Sequence, residues 1–196
     1  MATTITQNMN ALPHFPIELW LDTLEYVDDP EALWITVRLV SRRFKDLVER
    51  VFIQRQLPTI CMSLSLPRHD PSTGALRYKP PVPGSELVFA FTGFDDQQDT
   101  VILKTPVLSN GVSVESLTNT GILTQQRLEE ASGWTWFGRN RGKGANVRFP
   151  KTMHWDTEEK KWSCVLPWKK LVGAFFKSKE HRRLSQVQSS RRRGRV

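Results

Sequence analysis

Residues 15–52 read FPIELWLDTLEYVDDPEALWITVRLVSRRFKDLVERVF, and their spacing decides how the chain is divided. Pro16 suits the first helical position, where its missing N–H costs nothing. Behind it Ile17, Leu19, Trp20, Leu21, Leu24 and Val27 make more than one apolar stripe, so a short helix here has to be covered on several sides. Asp28, Asp29 and Pro30 break the helix, and Asp29 stands where it can cap the next segment. From Glu31 onward Leu33, Trp34, Val37, Val40, Phe44, Leu47, Val48, Val51 and Phe52 follow amphipathic helical spacing, with charges between them. A bend near Leu39–Ser41 divides this run into two helices, and the helical unit ends by Pro58. It carries more apolar surface than its own core can bury, which marks a docking module rather than a reaction centre.

Beyond Pro58 the period changes from helical to two. Ile60, Met62, Leu64 and Leu66 alternate with Thr59, Cys61, Ser63 and Ser65, the pattern of a half-buried strand. Residues 67–84 are rich in Pro and Gly and read as a long loop. Leu87, Phe89 and Phe91 mark a second strand. Val101–Thr105 and Val112–Leu117 flank Asn110-Gly111, a tight-hairpin signal, and Pro106 is expected to place its strand at a sheet edge. Leu123–Ala131 is a helix candidate. Gly133–Phe137, Asn146–Phe149, Thr152–Trp155 and Trp162–Val165 read as short strands, the last pair joined by a turn. Pro167 opens a helix whose Trp168, Leu171, Val172, Phe175 and Phe176 form one face, expected to cover the sheet.

The fold class implied is α+β. A flexible leader (1–11) is followed by a three-helix module (12–57) and a mostly antiparallel β domain with a C-terminal amphipathic helix (58–184). A basic, unordered tail (185–196) completes it. The formal net charge is +8 over 196 residues. Residues 1–56 carry eight acidic and six basic side chains, so the basicity belongs to the rest of the chain, the only place where it could act on a polyanion. Two cysteines, Cys61 and Cys164, in alternating apolar stretches read as buried thiols rather than a disulfide framework. The leader has neither the basic start nor the apolar run of a secretory signal, and the default compartment is cytosol or nucleus.

The N-terminal unit can be placed by its wording. FPIEL at 15–19, TLEYV at 23–27, Leu33 and VSRRF at 40–44 resemble the F-box, whose motif runs LP-x-EL, IL-x-x-L, a further Leu and V-C-x-x-W. The wording is most similar to F-box-like proteins of filamentous fungi. The resemblance covers about a fifth of the chain. It implies short helices that dock the Skp adaptor of cullin–RING ubiquitin ligases and, through that adaptor, the cullin. The residues matching the motif are Phe15, Pro16, Ile17, Leu19, Leu24, Val27, Val40 and Phe44. Thr23, Ser41 and Phe44 depart from the usual aliphatic, Cys and Trp, and each departure trims apolar area at roughly 25 cal/mol per Å2. The resemblance further implies a non-catalytic bridge between the Skp adaptor and a protein target captured by residues 57–196, without naming that target. An F-box-like scaffold acting outside the ligase fits the same residues.

Other signals point less far. Gly138-Arg-Asn-Arg-Gly-Lys-Gly144 fails as a phosphate-binding loop, which needs four residues between its outer glycines and then Lys and Ser/Thr. A hairpin tip with a basic edge fits better. Trp134, Trp136 and Phe137 beside Arg139, Arg141, Lys143 and Arg148 allow contact with a polyanion or an acidic target, although aromatics at alternate strand positions are more often core. A basic nucleic-acid-binding protein is therefore the alternative from a different class. His14, His69, His154 and His181 are scattered, and neither a metal site, a cofactor nor a catalytic constellation is implied. The tail cations, among them Lys177, Arg182 and Arg191, read first as a solvated end and second as a nuclear import signal. No membrane partner is expected.

Overall fold

A computed structural model describes residues 16–66, 68–69, 76–77, 86–109 and 111–193, with the side chains of 68–69, 76–77 and 187–193 left aside. Phe15, the leader, most of the 67–84 loop, Asn110 and residues 194–196 lie outside the described residues. The chain divides into two compact units, residues 1–51 and 52–196.

The first unit is helical. Helix α1 (Ile17–Glu25) starts one residue after Pro16, which sits in extended conformation ahead of it. Helix α2 (Pro30–Ile35) is capped as its sequence predicts: Asp29 Oδ1 accepts hydrogen bonds from the Glu31 and Ala32 amides at 2.9 and 3.1 Å. A single tight turn (Val37–Leu39) supplies the expected break before helix α3 (Arg42–Val51). Ser41 caps α3, its Oγ accepting from the Phe44 amide at 3.2 Å. Both α1 and the 37–39 turn pack on α3. The turn is pinned by Arg38, whose guanidinium donates to Glu49 Oε1 at 2.5 and 3.0 Å and lies 4.3 Å from the Trp34 ring centre. Glu49 is largely buried, so this charge-assisted pair answers a carboxylate with little access to water.

The second unit opens with a wide helical turn (Phe52–Gln56) and a tight one (Leu57–Thr59). Strands β1 (Ile60–Ser65), β2 (Arg68–His69), β3 (Leu76–Arg77), β4 (Glu86–Phe94), β5 (Thr100–Lys104), β6 (Leu108–Ser109) and β7 (Val112–Ser113) follow. Helices α4 (Val114–Asn119) and α5 (Gln125–Glu130) precede β8 (Gly133–Phe137), β9 (Ala145–Val147), β10 (Thr152–Asp156) and β11 (Lys161–Pro167). Helix α6 (Trp168–Arg193) ends the described chain. Among the described residues one seven-stranded sheet runs β10-β11-β5-β4-β1-β8-β9, antiparallel throughout. In register, Cys61 of β1 faces Ala90 on one side and Trp136 on the other. The α+β class, a helical module followed by an antiparallel sheet and a C-terminal helix, is the one the periodicity implies.

The period-2 pattern places the core. Ile60, Met62, Leu64, Leu87, Phe89, Val101, Leu103, Trp162, Cys164 and Leu166 are buried. Helix α6 packs on β9 and β11 and buries Trp168, Leu171, Val172, Phe175 and Phe176. The Phe175 ring meets Phe137 of β8 edge to face at 4.9 Å. Burial pushes the Cys164 thiol up to about 12 and raises that of the half-buried Cys61. Lys151 is lowered by the same cause, its Nζ donating to the Glu129 and Ala131 carbonyls at 2.7 and 2.6 Å.

Four expectations are corrected. The expected hairpin at Asn110-Gly111 falls partly outside the described residues, but the paired strands before and after it, β6 and β7, are only two residues each, with Gly111 at φ +79°. Val114 then opens a helix, because Ser113 Oγ caps it through the Ser116 amide and Val114 and Leu117 bury one face. Pro106 lies beyond the end of β5, an interior strand between β11 and β4, so it marks no sheet edge. The 67–84 loop contains the paired dipeptides β2 and β3. Finally, α6 continues to Arg193, where an unordered tail was expected from residue 185. Its apolar period stops at Phe176, but neither Gly nor Pro interrupts residues 174–193, and strong helix formers carry it on.

Candidate functional site

The eight motif residues part into distinct environments. Leu24 is buried, at 5% exposure, and belongs to the module's interior. Phe44 is half-buried, with its ring edge-on to Trp20 at 5.0 Å. Val27 is half-buried and Pro16 exposed. Ile17, Leu19 and Val40 stand out at 43, 50 and 63% exposure, and Phe15 is outside the described residues. Motif matching alone did not single out Leu39 (75%), Ile35 (40%) and Tyr26 (86%), which are also exposed apolar side chains on this small unit. Leu19, Trp20, Asp22, Thr23 and Tyr26 line a hollow of about 320 Å3 along α1. An isolated exposed leucine is ordinary, but this many on one small helical unit is a surface without its cover.

Two of the three departures from the motif have local roles. Thr23 Oγ1 donates to the Leu19 carbonyl at 2.7 Å, so its hydroxyl is satisfied inside the helix and its methyl remains for contact. Ser41 is the cap of α3, a role that a Cys would fill less well.

Residues 12–55 match the family model of the F-box domain. The chain carries an F-box domain. No curated protein and no solved structure matches the chain. F-box proteins are in general non-catalytic adaptors, and the family match is to no enzyme. The match runs from within the first unit to the start of the second.

In the second unit the four candidate cations stand in different surroundings. Arg141 is fixed: its guanidinium pairs with Glu86 of β4, donates to Ser63 Oγ at 3.2 Å and lies 5.3 Å from the Trp136 ring centre. Its carbonyl accepts from Trp134 Nε1 at 3.0 Å, and Asn140 Oδ1 accepts from the Gly142 amide. The 138–144 segment is therefore an anchored β8–β9 connection, with Gly138 at φ +68° and exposed Arg139 and Lys143. Arg148 stands just beyond β9 and is exposed. Of the three aromatics, Trp136 is core while Trp134 and Phe137 are half-buried.

The shifted carboxylates of this unit are structural. Asp95 is held low chiefly by the Thr100 amide, Asp156 by the Glu159 amide and Glu129 by the Gln125 side chain. His154 is an exposed strand residue. Among the described residues no group of three or more His, Cys, Asp or Glu is placed to hold a metal, and no helix is long and apolar enough to cross a membrane.

Proposed function

We propose that the chain is a substrate-recognition adaptor of a Skp–cullin–F-box ubiquitin ligase. It docks the Skp adaptor through residues 15–52 and presents a protein target on its second unit. The observation that carries this reading is the exposed apolar set Ile17, Leu19, Leu39 and Val40 within a segment that matches the F-box model. The contribution of such a chain to ubiquitin transfer is proximity: it raises the effective concentration of the target beside catalytic subunits elsewhere in the assembly. Cytosol and nucleus are the compartments where this machinery would meet it.

The test is purification of the intact chain from a eukaryotic extract beside a Leu19→Glu/Val40→Glu variant, with partners identified by mass spectrometry. Skp adaptor and cullin accompanying only the unmodified chain support the proposal. Adaptor without cullin would move the protein outside the ligase. A folded chain recovered with neither would remove the reading.

A further inference from the structure

Helix α6 and the sheet edge enclose a concavity of about 770 Å3 that the F-box does not use. Its apolar lining comes from Trp134 of β8, Ala145 and Val147 of β9 and Ala174 of α6. Its cations are Arg148, immediately after β9, and Lys177 and Arg182 on α6. Among the described residues no ion pair engages any of these three. The concavity is built rather than incidental. Ser178 Oγ donates to the Asn146 carbonyl at 2.7 Å and so ties the helix to the edge strand. Gly144 lets the backbone approach so closely that a Cβ there would stand 2.7 Å from the Thr135 carbonyl oxygen.

We propose that this groove binds an acidic peptide segment of a partner protein, with carboxylates against Arg148 and Lys177 and an apolar side chain against Ala145, Val147 and Ala174. Charge complementarity selects the occupant: three cations face one carboxylate, Glu180, among the lining residues. Exposed Arg139 and Lys143 on the β8–β9 connection add to the field that steers an acidic chain. A peptide fits better than a nucleic acid because base stacking needs an open aromatic face. The Trp134 ring instead carries the Arg182 guanidinium 5.6 Å from its centre, and its N–H is bonded to Arg141. Glu180 would also repel an unbroken run of phosphates, whereas a peptide can place a neutral or basic residue there.

As a target-recognition site the groove rests on the adaptor reading; as a peptide site it is measured without the Skp adaptor, so the two fail separately. The experiment selects a displayed random dodecapeptide library on the intact chain. The strongest peptide is then titrated by fluorescence anisotropy against the unmodified chain, Arg148→Glu/Lys177→Glu, and the charge-matched control Lys45→Glu/Lys170→Glu. Circular dichroism confirms that each is folded. Enrichment of Asp/Glu-rich peptides containing an apolar residue, at least tenfold weaker binding to the groove variant and under threefold change in the control are expected. Absence of acidic enrichment, equal loss in the control, or tighter binding of a single-stranded ten-nucleotide RNA than of the peptide would overturn the proposal.

Discussion

Replacing Leu19 and Val40 by glutamate separates a docking surface from a core, because the two roles predict opposite responses of stability and binding. Leu19 is 50% exposed and Val40 63% exposed. Full burial of such a side chain contributes about 1.5–3 kcal/mol, so covering the exposed half to two-thirds is worth roughly 1–1.5 kcal/mol per site. A carboxylate forced under a partner costs about a further 1–3 kcal/mol when no hydrogen bond answers it. The double variant should then lose at least about 4 kcal/mol of binding, a weakening on the order of a thousandfold or more in Kd. Because both residues face solvent in the isolated chain, its unfolding free energy should stay within about 0.5 kcal/mol of the original. Leu24→Ala makes the contrast: at 5% exposure it should cost about 2–3 kcal/mol of stability through the cavity it leaves. Titration calorimetry with purified Skp adaptor, beside urea unfolding of each variant, reads both quantities. A folded double variant that binds within threefold of the unmodified chain would refute the assignment of these residues to the interface.

Arg38→Ala removes two charge-assisted hydrogen bonds to Glu49 and the contact with Trp34, and should lower stability by about 1–3 kcal/mol in urea unfolding. Ser41→Cys restores the residue frequent in F-boxes but removes the α3 cap, so it should destabilise by about 1 kcal/mol rather than stabilise. Cys164 makes stability fall in alkali. The unfolded thiol ionises near 9.0 while the folded one holds its proton to about 12, so between these values only the unfolded chain loses a proton. The slope should approach about −1.4 kcal/mol per pH unit for this group and vanish in Cys164→Ala, read from urea midpoints between pH 8 and 10.5.

Helix and strand were legible where apolar spacing was unambiguous. The Asp29 cap, the break before Ser41 and the alternation in Ile60–Leu66 each appear where the residues require them. The misreadings arose where one signal outweighed another. Val112–Leu117 alternates like a strand, yet the Ser113 cap and the Val114/Leu117 pair make it helical after two residues. Helix α6 outlasts its apolar face because propensity persists where amphipathicity stops. The division of the F-box motif into core and surface was not legible. Leu19 and Leu24 are the same residue type on one helix, and only the packing of α1 on α3 separates them. The α6 groove left no local mark either: Arg148 lies far along the chain from Lys177 and Arg182, and their convergence follows from helix α6 packing on an edge strand.

An adaptor acts by holding two partners near each other, so its binding surfaces gain most if they are formed before either partner arrives. Each unit meets that demand by the same means. In the F-box, apolar side chains that face solvent sit on helices too short to be stable alone. The Asp29 and Ser41 caps and the Arg38–Glu49 pair hold those helices without covering Leu19, Leu39 or Val40. In the second unit the Ser178–Asn146 bond, the Trp134–Arg141 bond and the Arg141–Glu86 pair fix the walls of the groove and leave Arg148 and Lys177 outside every ion pair described. Arg141 is thus the informative residue of the basic stretch. By satisfying Glu86 and orienting the loop that anchors Trp134, it shapes a site whose ligand it need not touch.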